Sequence, residues 1–187
     1  VVDLAVDAIK SGGRVLYVGA GTSGRLALLD AAECPPTFGV SAETIQAVFA
    51  GGAKAFAQAK EDAEDDTEQG VTDLKAKKVS SLDIVIGLAA SGHTRYTLTA
   101  LEFARSRSAK TVAIVSVIGS PMSKMADVTV NLPVGPEVIT GSTRMKSGTA
   151  QKMALNMIST ATMVRLGMTY SNWMINVSMT NQKLRER

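Results

Sequence analysis

Arg14-Val15-Leu16-Tyr17-Val18-Gly19-Ala20-Gly21-Thr22-Ser23-Gly24-Arg25 is the stretch on which the fold turns. Val15 to Val18 are consecutive apolar residues rich in β-formers, with no polar alternation. Such a short run bounded by glycine spells a strand buried on both faces rather than one half-open to water. A loop of glycines and hydroxyls interrupts it, and apolar residues then recur at helical spacing through Ala32. Strand, glycine-rich turn and helix form the first half of a βαβ unit.

The same grammar extends in both directions. Upstream, Val2, Leu4, Ala5 and Ile9 mark an amphipathic helix closed at Gly12-Gly13. Downstream, strands are predicted over residues 45–50, 83–89, 111–117 and 128–132. Helical patterns fall between them, through residue 59, from Thr94 to about Arg105, and briefly at Met122 to Met125. A long helical spacing covers Met145 to Leu166, and a last amphipathic stretch runs from Asn172 to Leu184. Strands separated by helices pair in parallel through right-handed crossovers. The expectation is an α/β three-layer sandwich, a mostly parallel five-stranded sheet flanked by helices, as one domain over residues 1–187. Ligands of such sheets sit beyond the carboxyl ends of the strands, where the glycine- and hydroxyl-rich loops fall.

Composition narrows the function. Of 187 residues, 45% are hydrophobic and 20% charged, a balance that supports a packed core and argues against a disordered tail. The longest apolar run, Ile84 to Ala90, has strand length and falls far short of the ~18 residues that cross a bilayer. No signal-peptide pattern opens the chain, and the single cysteine, Cys34, fits a reducing compartment, so a cytoplasmic protein away from membranes is expected. The net charge of +3 comes from scattered Lys and Arg, and only 4% of residues are aromatic, so no nucleic-acid platform is expected. A mild positive balance suits a small anionic substrate instead.

Gly19, Gly21 and Gly24 match G-x-G-x-x-G, the dinucleotide fingerprint. That fingerprint also needs an acidic residue at the end of the second strand to hold the ribose. Here that strand ends in Ala50-Gly51-Gly52, and Glu43 precedes it. The loop therefore reads better as a cradle in which Thr22, Ser23 and backbone N–H groups meet a polar ligand at a helix N-terminus. Ser91-Gly92-His93-Thr94 repeats the arrangement after a later strand. Either loop alone is equally well explained by capping; the two together favour one phosphorylated ligand between them. His93 is the only histidine, which excludes a polyhistidine metal site; it binds phosphate or caps the helix. No metal and no cofactor are expected.

Long motifs then carry a resemblance. G-A-G-T-S-G-R-L (19–26), L-D-A-A-E-C-P-P-T-F-G-V (29–40), E-D-A-E-D-D (61–66), A-A-S-G-H-T (89–94), G-S-T-R-M-K-S-G-T-A-Q-K (141–152) and T-N-Q-K-L (180–184) resemble, in order, the N-acetylmuramic acid 6-phosphate etherases. These are proteins of the sugar isomerase (SIS) type, related to the glucokinase regulatory proteins. The resemblance implies cleavage of the D-lactyl ether of a phosphorylated amino sugar by elimination and hydration, without metal or redox cofactor. It implies Glu33 as the acid that protonates the departing lactate and Glu64 as the base at C2. It adds Ser142, Thr143, Arg144 and Lys146, at the entry to the long helix, to a substrate site already holding Thr22, Ser23, Ser91, His93 and Thr94. It further implies a homodimer, with the Met145 to Leu166 helix as an interface.

Against the family's pattern, this chain has His93 and Arg95 where Arg and Pro are usual. Ser116-Val117-Ile118 stands in place of a Cys-Asn-Pro-like segment. The chain also lacks the family's N-terminal lead-in and C-terminal helical domain, and reads as a fragment. Two other functions fit the motifs less fully. A non-catalytic sugar-phosphate sensor would accommodate the altered loop but not the retention of both glutamates. An aldose–ketose isomerase would share proton abstraction at C2 but leave the match around Glu33 unexplained.

Overall fold

The computed structural model describes residues 1–58 and 60–177. Its centre is a five-stranded parallel sheet of β1 (Val15–Gly19), β2 (Ile45–Phe49), β3 (Ile84–Leu88), β4 (Lys110–Val115) and β5 (Val128–Asn131). The strand order is β2-β1-β3-β4-β5. β1, β3 and all of β4 after Lys110 are wholly buried, as their unbroken apolar runs require.

Alternate residues feed two cores. Leu16, Val18, Val85, Ala113 and Val115 face one layer, which contains α4 (Thr67–Ala76), α5 (Arg95–Ser106) and the short α6 (Pro121–Met125). Val15, Tyr17, Ile84, Ile86, Val112 and Ile114 face the other, formed by α1 (Val2–Lys10), α2 (Gly21–Phe38) and α7 (Lys146–Arg165). At about 1.5–3 kcal/mol for each large aliphatic side chain buried, this two-sided packing is the main stabilising term. The three-layer, mostly parallel architecture matches expectation.

Several details differ. α2 does not stop at Ala32: it runs through Pro35 and Pro36 to Phe38 and is closed by left-handed Gly39, whose N–H donates to the Pro35 carbonyl. The prolines forgo two intrahelical bonds near the helix end, where that loss is tolerated. Glu33 therefore lies within the helix rather than beyond its negative end. A 3-10 turn, Glu61–Glu64, and α4 occupy the acidic segment for which no element was expected. α4 buries only Gly70 and Leu74, too sparse an apolar face to register as a pattern. α3 (Gly52–Ala57) ends short of residue 59, and β4 ends at Val115. Trp173–Met174 pairs antiparallel with Thr169–Tyr170, and the rest of the expected amphipathic stretch, with the T-N-Q-K-L motif, lies outside the described residues beyond 177. Among the described residues no helix is long and apolar enough to cross a membrane.

Candidate functional site

The strand order reverses direction at β1 and β3: the chain moves outward from β1 to β2, then returns to place β3 on the other side of β1. The crevice at the carboxyl ends of these two strands is the topological switch point, where open α/β sheets bind ligands. Both candidate loops border it. After β1, α2 begins at Gly21 with φ +53°, a conformation L side chains avoid. After β3, Gly92 (φ +67°) packs so closely on Ser120 that any Cβ there would collide with it. Neither Ala20 at the head of α2 nor Thr94 at the head of α5 caps its helix with a side chain. The first N–H groups of both helices are thus left without that partner.

The hydroxyls of the first loop are not all turned to the crevice. Ser23 is buried, and its Oγ donates to Gln151 Oε1 on α7 at 2.8 Å. Gln151 Nε2 is buried with no hydrogen-bond partner among the described residues. Thr22 packs its methyl against the first turn of α7, 3.4 Å from where a Cβ on Gly148 would sit. In the second loop, Ser91 and His93 are exposed and Thr94 half-buried. Ser91 Oγ accepts from the His93 N–H at 3.2 Å, and His93 Nδ1 lies 2.8 Å from the Ser91 carbonyl oxygen. Beside them the Ser116 N–H donates to the Ala90 carbonyl, and the buried Ser116 hydroxyl has no partner among the described residues.

Glu64 closes the 3-10 turn and meets the first loop. A Cβ on Gly21 would stand 2.9 Å from its Oε1. Ala20, Gly21, Arg25, Phe49, Lys60 and Glu64 line a cavity of about 40 Å³. Arg25 donates from Nε to the Phe56 carbonyl at 2.9 Å and from Nη2 to the Ala55 carbonyl at 2.8 Å. It therefore secures the end of α3, with its guanidinium 5.6 Å from the centroid of the Phe49 ring. The acidic run thus places one of its carboxylates, that of Glu64, at the crevice.

Glu33 is elsewhere. It is exposed on α2, twelve residues beyond Gly21, and at 1.5 Å per residue that is about 18 Å along the helix. Leu29, 45% exposed, lies one turn before it on the same stripe. The neighbouring α7 exposes Met153, Met157 and Val164 while burying Leu155, Ile158 and Met163 in the core. This helix is both core and surface.

Ser142, Thr143 and Arg144 precede the head of α7, as expected from sequence, but the anion place is already taken. Glu137 accepts from the Lys146 and Ser147 N–H groups, each at 3.0 Å, and these bonds hold its carboxyl below the usual range. Lys146 Nζ turns back to the Pro136 carbonyl at 2.9 Å. Glu137 is nine residues before the helix, too far for a local capping pattern to flag it. Behind the site, buried Asp30 accepts from Tyr17 Oη at 2.9 Å, Asn156 Nδ2 at 2.6 Å and Ser159 Oγ at 2.9 Å, tying α2 to β1 and α7. Among the described residues no three His, Cys, Asp or Glu side chains converge to hold a metal ion.

Residues 1–105 match the glucokinase regulatory protein N-terminal SIS domain, and residues 65–161 match the SIS domain. The chain is 54% identical over 187 residues to an N-acetylmuramic acid 6-phosphate etherase of Geobacillus thermodenitrificans, covering all of this chain and 63% of that protein. It is 52% identical over 186 residues to the protein of the same name from Clostridioides difficile, of which it covers 61%. The chain thus spans a little under two thirds of the length of these relatives. In structure it resembles phosphoheptose isomerase from Neisseria gonorrhoeae, with a TM-score of 0.62, 18% identity, and coverage of 88% of this chain and 82% of that one. It also resembles the Vibrio vulnificus NanR protein complexed with ManNAc-6P, with a TM-score of 0.61, 16% identity, and coverage of 89% and 54%.

Proposed function

Since the chain belongs to the SIS-domain family, we propose that it binds a phosphorylated amino sugar in the crevice between β1 and β3. We further propose that, as a homodimer, it converts N-acetylmuramic acid 6-phosphate and water to N-acetylglucosamine 6-phosphate and D-lactate. The names of its relatives at 52–54% identity support this substrate. In the open-chain sugar the aldehyde acidifies the C2 proton. Glu64 takes that proton, the C3–O bond breaks as Glu33 protonates the departing lactate, and a C2–C3 double bond forms. Water then adds its hydroxyl to C3 and a proton returns to C2. Two positioned acid–base groups suffice for this sequence.

The observation that carries the reading is the Glu64 carboxylate against Gly21 at the switch point. The place of Glu33 on α2 supports a shared assembly. Carboxylates that flank one sugar carbon centre work within roughly 5–9.5 Å of each other in glycosidases, whereas Glu33 stands about 18 Å along α2 from Gly21, the residue beside Glu64. The cavity beside Glu64, about 40 Å³, is also far below the roughly 300 Å³ of a small-molecule pocket. A second copy, docked on the exposed apolar stripes of α2 and α7, supplies both the missing walls and its own Glu33. The phosphate sits at the Ser91–Thr94 loop, where the open N-terminus of α5 favours an anion.

The test is release of D-lactate from N-acetylmuramic acid 6-phosphate by the protein and by Glu33→Ala and Glu64→Ala variants. Release lost in both variants supports the etherase. Binding of the sugar phosphate without release by the parent protein would instead select the sensor.

A further inference from the structure

We propose that Arg25 is the positioning residue for Glu64: by gripping the end of α3 it fixes where that carboxylate meets the first loop, and so sets the rate of proton removal at C2. This role deepens the reading of Glu64 as the C2 base and rests on it. Arg25 stands four residues after Gly21 on α2, one turn on and on the same face, about 6 Å along the axis. Two contacts fall on that face. Gly21 meets the Glu64 carboxylate, and Arg25 meets the last turn of α3. One rigid helix therefore carries both the glycine and the side chain that holds the neighbouring segment.

α3 cannot hold itself there. Its six residues are too few for a helix to persist on its own hydrogen bonds, and it leaves β2 through two left-handed glycines, Gly51 (φ +81°) and Gly52 (φ +66°). Among its described side chains Ala55 is buried, while Phe56 is exposed. At a helix end the carbonyls of Ala55 and Phe56 have no intrahelical partner. Half-buried Arg25 donates to both, from Nη2 at 2.8 Å and from Nε at 2.9 Å. The Phe49 ring, which also packs on Gly24, backs the guanidinium at 5.6 Å. A planar fork suits two successive carbonyls; an ammonium has no such fork.

The grip reaches Glu64 through Gly51. A Cβ there would stand 2.7 Å from Ala55 Cβ and 3.4 Å from Ala63 Cβ, so both buried alanines share one seat. Ala55 carries one of the carbonyls that Arg25 holds, and Ala63 precedes Glu64 in the 3-10 turn. Close-packed interiors transmit displacement, so release of α3 shifts the turn and its carboxylate. Proton abstraction is sensitive to that shift, since a misplacement of about 1 Å can cost about a hundredfold in rate. The phosphate loop after β3 lies on other elements, so affinity should change little.

The C2 step can be read alone. In deuterium oxide, removal of the C2 proton of N-acetylglucosamine 6-phosphate and return of a deuteron exchange one hydrogen for deuterium, which proton NMR follows as loss of the C2–H signal. Exchange rates at saturating sugar phosphate and dissociation constants by calorimetry are measured for the parent, Glu64→Gln, Arg25→Met and Arg25→Lys. Glu64→Gln should abolish exchange. Arg25→Met should lower the saturated rate at least about tenfold with the dissociation constant within about threefold of the parent. Arg25→Lys keeps stem and charge but not the fork, and should lose at least about threefold in rate at parental affinity. A smaller loss of rate in either variant, or a loss that appears only in affinity, overturns the positioning role and leaves Glu64 as the base. If a thermal melt shows Arg25→Met unfolded, Arg25→Lys decides on the same two quantities. No exchange by the parent, or exchange that persists in Glu64→Gln, overturns both.

Discussion

The Glu64 carboxylate and Gly21 are in register across the mouth of the first loop: a Cβ on Gly21 would stand 2.9 Å from Glu64 Oε1. Gly21 also holds φ at +53°. A Gly21→Ala change therefore imposes left-handed strain of about 1–2 kcal/mol and pushes the carboxylate from its place. Activity should fall at least tenfold, with a melting temperature lower by a few degrees. Steady-state kinetics beside a thermal melt would separate the two effects. A Gly21→Ala protein with unchanged kcat/KM would remove the Glu64–loop contact from the mechanism.

A site shared between copies makes a sharper prediction. A Glu33→Ala chain keeps Glu64, and a Glu64→Ala chain keeps Glu33. In a mixed dimer one crevice would combine Glu64 of one copy with Glu33 of the other, while the second crevice would lack both. Random exchange of inactive homodimers makes half the dimers mixed, so about a quarter of parent activity should return. If both glutamates served one chain's crevice, mixing would restore nothing.

Glu33 follows a helical pattern read through Ala32, so the sequence already sets it about 18 Å of helix from Gly21. The continuation of α2 through Pro35-Pro36 to Phe38 was not legible, because a proline usually ends a helix. The central strands β1 and β3 were legible because each is dominated by an apolar run buried on both faces, as Val15 to Val18 and Ile84 to Ile86 are. α4 was not, because its burial rests on Gly70 and Leu74 and its packing on α5. The loops were legible as glycine and hydroxyl clusters, but composition does not aim a side chain. Ser23 turns inward to Gln151, and Glu137 reaches α7 from a distance no local rule covers.

Asp30 anchors the helix that carries Glu33. Its buried carboxylate takes hydrogen bonds from Tyr17, Asn156 and Ser159, and Asp30→Ala would strand all three donors. At about 1–3 kcal/mol for each unsatisfied buried group, partly relieved by relaxation, the loss should total about 2–4 kcal/mol in chemical denaturation. One turn on, the Cys34 thiol donates to the Asp30 carbonyl, and burial, reinforced by the Asp30 charge, pushes its pKa up to about 12. The parent protein should therefore resist alkylation at pH 8 until it is unfolded, while Asp30→Ala should react measurably faster. Equal stability of Asp30→Ala and parent would show the cluster to be dispensable.

Asp83 gives the pH dependence of folding. Burial by itself would raise its pKa, but the Arg14 hydrogen bond, the Ser80 N–H and the Arg14 charge together bring it below the ordinary 3.8. The guanidinium donates from Nε at 3.1 Å and Nη2 at 3.0 Å, and the Arg14 N–H adds a bond at 2.9 Å. A carboxyl depressed in the folded state stabilises fully above its unfolded pKa and loses that contribution as pH falls through the folded value. Breaking a fully buried pair costs roughly 3–5 kcal/mol; Arg14 keeps partial contact with water, so Asp83→Asn should cost about 2 kcal/mol at pH 7. For a chain of this size that is roughly 4–8 °C in melting temperature. The gap between variant and parent should be constant from pH 7 to about 5, then narrow below 3.8 as the parent's carboxyl is protonated. A gap that persists unchanged in acid would mean that Asn fails through geometry rather than charge, and that the ion pair contributes little to the pH profile.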